Sequence, residues 1–225
     1  MKILNRIVTF LLALAVFPAV YFRILLRAVI SISPDSAIYK IISAFSENIN
    51  RKMEITVSIK DAIGYWQNGT FSVGSMDFDL NKIPKDLLVT KNWLIASAAF
   101  IVITLIIAIV IMGCALFTKA HKTVMGLSAG ALACLGAALG CFTKFAAPFV
   151  DGTVDLGALM INTIIGDEAN LLGTIGSAAL SGAIKVDILQ LGNVVFTLGI
   201  IFFILLLWAF AYYITLSPEE KTKKN

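Results

Sequence analysis

Apolar residues in this chain fall into long runs separated by stretches with shorter periods. Trp93–Phe117, Thr123–Thr143 and Asn193–Leu216 are almost free of charge, and each reaches the roughly 20 residues a helix needs to cross a bilayer. A fourth run, Ile7–Phe22, is bracketed by Arg6 and Arg23 and offers about 16 apolar residues, the short end of that range. Lys2 and Arg6 before it would also suit a secretion signal. No small-x-small cleavage site follows, however, and the apolar character continues through Ile24-Leu25-Leu26, so an uncleaved span is expected.

Between the spans the period changes. Ser33-Pro34-Asp35 reads as a helix start, with Ser33 as N-cap and Pro34 in the first turn. Ile38, Ile41, Ile42, Phe45 and Ile49 then recur at helical spacing. Met53 to Lys60 alternates apolar and polar, the period of a half-buried strand. In Tyr65–Val73 the pair Asn68-Gly69 predicts a type I′ hairpin turn, because both central positions need positive φ; Trp66 stands beside it. Met76, Phe78 and Leu80 alternate in the opposite parity, so a bulge is expected at Gly74-Ser75. Ile184, Val186 and Ile188 predict a further strand leading into the last span, and Asp167-Glu168 suggests a short helix before it.

The expected fold class is therefore an integral membrane α-helical protein: a four-helix transmembrane bundle with a small extracytoplasmic β-sheet-containing domain of four or five short strands. Its organisation reads as a first span over 1–30 and an outer segment over 31–91 with the amphipathic helix and hairpin. The second span follows at 92–118, then a turn and third span at 119–147, a second outer segment at 148–191, the fourth span at 192–216 and a tail at 217–225.

Composition agrees with this reading. Of 225 residues 59% are hydrophobic and 14% charged, against about 25% charged in soluble domains. The net charge of +4 is unevenly placed. Lys2, Arg6, Lys119, Lys122, Lys221, Lys223 and Lys224 lie in the N-terminus, the link after the second span and the tail. The positive-inside rule makes these segments cytoplasmic, giving a multi-pass protein of the cell membrane with both termini inside. The basic excess thus reports topology, and no nucleic-acid partner is expected.

Candidate chemistry is sparse. His121, between Lys119 and Lys122, reads as a solvated loop residue. The spans offer Ser97, Thr104, Ser128 and Thr197, too little for a catalytic set or an ion-coupled pathway. Cys114, Cys134 and Cys141 lie in spans without a nearby histidine partner and read as small packing residues. Asp77 and Asp79 share a strand face but fall short of the six to eight oxygens of a calcium site. No cofactor, metal site or enzymatic activity is expected. Arg23 and Arg27, four apart, should share one helical face at the outer end of the first span. They would snorkel to lipid phosphates or pair with acids of the outer domain. Asn68-Gly69-Thr70 also matches a glycosylation acceptor.

Four spans, inner termini, a long first outer segment and a sheet taking one strand from the second resemble the plan of the claudin-like tetraspan membrane proteins. That resemblance implies a scaffold or adhesion role. The family's second Trp and paired cysteines have no counterpart beside Trp66, so it implies no site residue.

The most unusual stretch is Gly126–Gly140, GLSAGALACLGAALG. At about 100° per residue Gly126, Gly130, Ala133, Ala137 and Gly140 form one stripe. Small residues permit the close backbone approach that drives helix pairing in lipid. The stripe is expected to dock another span of the same chain, such as the last one with Gly192 and Gly199, or else a membrane-protein partner or second copy. A scaffold, adhesion or accessory subunit is the function these features suggest; an oligomeric channel or transporter component is the alternative.

Overall fold

The computed structural model describes residues 2–45, 52–58, 71–73, 76–78, 88–117, 121–154 and 182–216. In chain order these form α1 (Lys2–Leu14), α2 (Val16–Phe22), β1 (Ile24–Ile32), α3 (Ala37–Phe45), β2 (Lys52–Ser58), β3 (Phe71–Val73) and β4 (Met76–Phe78). They continue with α4 (Leu88–Phe117), α5 (His121–Val150), β5 (Ile184–Leu191) and α6 (Asn193–Thr215). The chain divides into two compact units, one of Met1–Arg23, Leu94–Cys141 and Asn193–Asn225, the other of Ile24–Trp93 and Phe142–Gly192.

The first unit is helical. Ile3–Phe22, Asn92–Leu116, His121–Val150 and Asn193–Thr215 are long and apolar enough to cross a membrane. The first of these is broken at Ala15, between α1 and α2. Pro18 accounts for the break: it has no N–H for the Leu14 carbonyl, and its ring crowds that carbonyl. The inward stripes repeat at alternating spacings of four and three. On α4 they are Ser97, Ile101, Thr104, Ala108, Ile111 and Ala115; on α6, Leu198, Phe202, Leu205 and Ala209. A repeat near 3.5 keeps one seam inward along helices that cross at a shallow left-handed angle. Phe202, Ile111, Leu198 and Leu205 are the largest fully buried side chains in the bundle. Ser97 ties two helices directly, its Oγ donating to the Ala138 carbonyl at 2.9 Å in a buried setting.

The second unit centres on a three-stranded antiparallel sheet in the order β2-β1-β5. Its central strand corrects the sequence reading, which continued the first span to residue 30. Helix α2 stops at Phe22, Arg23 is extended (φ −100°, ψ 154°), and Ile24–Ile32 is strand. A short continuous apolar run has no period that separates a buried strand from a helix. What decides here is pairing on both sides: Ala28 faces Ile55 and Leu189, and Arg27 faces Thr56 and Gln190. Strand β5 forms where its alternation predicts a strand, and it pairs with β1. Its parity nevertheless changes within the strand. Val29 pairs with Ile188 but Ile30 with Val186, leaving Asp187 as an extra residue. Val186 is therefore buried and Ile188 turned outward at 40% exposure, as a bulge requires.

β3 and β4 are antiparallel partners with Val73 opposite Met76, and the bulge expected at Gly74-Ser75 lies outside the described residues. One further expectation changes. Helix α3 begins three residues later than Ser33 suggests. The N-cap is Ser36, whose Oγ accepts the Tyr39 N–H at 3.2 Å and donates to the Ser33 carbonyl at 2.7 Å, satisfying one orphan donor of the first turn. The Asn68-Gly69 turn and the helix expected after Asp167-Glu168 lie outside the described residues.

Candidate functional site

The small-residue stripe is the first candidate, and it does not do what was expected of it inside the chain. The inward face of α5 is Val124, Ser128, Ala131, Leu135 and Ala138. Gly126, Ala133 and Gly140 are exposed, while Gly130 and Ala137 are half-buried at the flank. An added Cβ at Gly126, Gly130, Gly136 or Gly140 would meet nothing within 4 Å, and the same holds at Gly199. At these glycines the structure shows no close approach of the last helix. Gly192, the other expected partner, is not in a helix: it follows β5 and lies against Ile24 of β1. The outward edge of α5 is Gly126, Ala129, Ala133, Gly136 and Gly140, spaced three and four residues apart and centred about 40° round the helix from the sequence-drawn stripe, at about 100° per residue.

The other helices expose different residues. On α4 the outward positions include Ile95, Val102, Ile106 and Ile109; on α6, Phe196, Ile200, Phe203, Leu207 and Phe210. These are bulky side chains suited to lipid tails. α5 turns glycine and alanine to the same surroundings. Its thiols, Cys134 and Cys141, are half-buried, as is Cys114 of α4.

Arg23 and Arg27 do not share a helical face, because the helix ends at Phe22, before both of them. Arg27 stands on β1 and forms a two-pronged ion pair with Glu54 of β2, Nε to Oε1 at 2.7 Å and Nη2 to Oε2 at 3.3 Å. Ser31 Oγ donates to Asp187 Oδ1 at 2.7 Å, and Lys52 lies 3.6 Å from Asp187 Oδ2. Arg27, Ser31, Lys52, Glu54 and Asp187 thus make one polar, solvated sheet face. Trp66, Asn68 and Gly69 lie outside the described residues, as does Asp79.

A third place was not legible beforehand. His121 is the first residue of α5 and half-buried, not a solvated loop residue. Asn5 Nδ2 donates to its Nδ1 at 3.2 Å, and its ring centroid lies 4.5 Å from that of Tyr212. One imidazole thereby meets the start of α1 and the end of α6. Asn5 and Thr9, one turn apart, are both buried at 4% exposure. Two polar residues on one face of an apolar helix are the signal that could have revealed this end of the bundle. Among the described residues no group of three or more His, Cys, Asp or Glu could hold a metal.

No family model matches the chain. No curated protein and no solved structure matches it either.

Proposed function

We propose that this chain is a four-span membrane protein that acts by assembly: a scaffold, adhesion or accessory subunit docked along the outward edge of α5. The outward row Gly126, Ala129, Ala133, Gly136 and Gly140, open to close approach, carries the reading. Lipid tails pack well against Ile, Leu and Phe and gain little from a flat glycine face. A neighbouring helix gains dispersion contact there, because the backbones can come close. The occupant is a membrane-protein partner or a second copy of this chain. The sheet-bearing unit, with its charged face, is then the part offered outside the bilayer. The positive-inside pattern supports a multi-pass arrangement in the cell membrane with both termini on the cytoplasmic side.

The test is mass measurement after purification in mild detergent, comparing wild type with Ala133→Leu and Gly136→Leu. Both positions point outward, so the variants should melt like the wild type. The expected result is an assembled wild type and a single-chain variant. A wild type that is a single chain in detergent and in nanodiscs would remove the reading. A symmetric ring that passes ions in liposomes would replace it with a channel.

A further inference from the structure

We propose that the bundle binds a resident water between α5 and α6, held by the Ser128 hydroxyl and the Trp208 indole N–H. Ser128 Oγ and Trp208 Nε1 are both buried, and neither has a hydrogen-bond partner. Ser128 is 0% exposed. A hydroxyl inside a helix commonly donates to the carbonyl four residues back. Two threonines of the bundle do so, Thr104 to Phe100 and Thr197 to Asn193, each at 2.9 Å. Ser97 reaches across to the Ala138 carbonyl instead. Ser128 does neither, which leaves its donor and both acceptor sites unused. A buried indole N–H ordinarily finds an acceptor, and that of Trp208 has none.

Helical geometry brings the two groups to one level. The His121 ring meets Tyr212 where α5 begins and α6 ends, so the helices run in opposite directions from that contact. Ser128 is seven residues along α5, two turns in and about 20° round from His121. Trp208 is four residues back along α6, one turn in and about 40° round from Tyr212. At about 1.5 Å per residue they stand roughly 10.5 and 6 Å from the contact, about 4.5 Å apart along the bundle. Side chains lean toward the N-terminus of their own helix. In this pair the hydroxyl therefore leans back toward the contact and the indole leans inward, which narrows that difference. A water bonded at about 2.9 Å to the indole and about 2.8 Å to the hydroxyl spans up to about 5.7 Å. Thr9, one turn beyond Asn5 on α1, is level with Trp208 because Asn5 meets His121. It is buried as well, at 4% exposure, and supplies a third polar group for the roughly three bonds that a buried water makes. Ala108 lies eleven residues after Ser97 and Ser128 ten before Ala138, so the Ser97–Ala138 bond sets Ala108 level with Ser128. Its side chain is only a methyl group, which leaves room there. The indole only donates, so the occupant must accept. An ion would have to be stripped of its hydration to enter an apolar bundle, whereas water is neutral and both accepts and donates.

The site is on the inward face of α5 and does not rest on the assembly reading, which concerns the outward edge. For the test, full-length protein labelled with ¹⁵N-tryptophan is placed in nanodiscs. The chain has three tryptophans, and Trp208→Phe assigns the Trp208 indole N–H by its disappearance. The wild type is expected to show a nuclear Overhauser cross-peak between that N–H and water. Ser128→Ala should abolish the cross-peak and shift the indole N–H resonance. Ser97→Ala, farther along α4 from the site, should leave both unchanged. A wild type without the cross-peak overturns the proposal, and that measurement needs no substitution, so it decides even if Ser128→Ala does not fold. A cross-peak that survives Ser128→Ala at full strength overturns it too, because the indole would then meet water without the hydroxyl. Equal loss in Ser97→Ala would overturn it by showing a general loosening of the bundle.

Discussion

Replacing Gly192 by alanine should loosen the sheet where β5 ends. Gly192 N–H donates to the Leu25 carbonyl at 2.8 Å, one step beyond the Leu26–Leu191 pair. A Cβ built there would lie 2.6 Å from the Ile24 carbonyl carbon and 2.8 Å from Ile24 Cγ2, and closer still to the carbonyl oxygen. The obstacle is mostly backbone, which cannot rotate away as a side chain would. β1 must therefore move off the end of β5. Overpacking of this kind costs about 1–3 kcal/mol, and losing the Gly192–Leu25 bond adds about 0.5–1.5 kcal/mol. A destabilisation of about 2–4 kcal/mol is expected, read as a shift in denaturant unfolding in mild detergent followed by tryptophan fluorescence. Gly199→Ala is the internal control. Gly199 lies within α6 with open space around it, so alanine there should be neutral or stabilising by up to about 1 kcal/mol. A Gly192→Ala protein within about 0.5 kcal/mol of wild type, the range of a bland surface change, would refute the close-approach argument.

Val186→Thr and Ile188→Thr test the Asp187 bulge by the same unfolding assay. The buried hydroxyl at 186 should cost about 1–3 kcal/mol, while the change at exposed 188 stays within about 0.5 kcal/mol; equal effects would mean an unbroken alternation. Ser97→Ala should cost about 0.6 kcal/mol, the average for a hydrogen bond between helices in a membrane, and a null result would mean that the Ser97–Ala138 bond adds nothing to the bundle. Arg27 and Glu54 are 41% and 49% exposed at the side chain, so a double-mutant cycle should return less than about 1 kcal/mol, weakening with salt. A larger coupling would show that this pair is shielded from water.

The long helices were legible because they depend on one property, uninterrupted apolarity, that a sequence displays directly. β5 was legible for its strict alternation, but only as far as Asp187. Nothing in Lys185-Val186-Asp187-Ile188 says which residue the partner strand will skip, since a bulge is fixed by register against β1. β1 itself was hidden by its composition, because a central strand and a helix end can both be written Ile-Leu-Leu-Arg-Ala-Val-Ile. The polar positions Arg27 and Ser31 fit the alternation that pairing reveals, but two points do not outweigh an adjacent apolar run. On α5 the small residues were plain, yet which edge faces inward depends on where Leu135 and Phe142 pack, and bulky neighbours claimed that side. The meeting of Asn5 with His121 joins residues 116 positions apart; periodicity carries no information over that distance.

The place of β1 in the sheet also sets a clock on biosynthesis. Its pairing with β2 can form soon after both are made, since the strands are close in the chain. Its other edge waits for β5, because Leu26 pairs with Leu191 and translation at about 5–20 residues per second takes roughly 8–30 seconds to cover that interval. Through that time the central strand of the finished sheet is an edge strand, open to pairing with any other chain. Completion of the sheet-bearing unit is thereby tied to delivery of the segment that immediately precedes the last long helix. A ribosome stalled between residues 154 and 184 would leave all but the last of the long helices made and the sheet unfinished, a state that quality-control proteases could recognise by its unpaired edge.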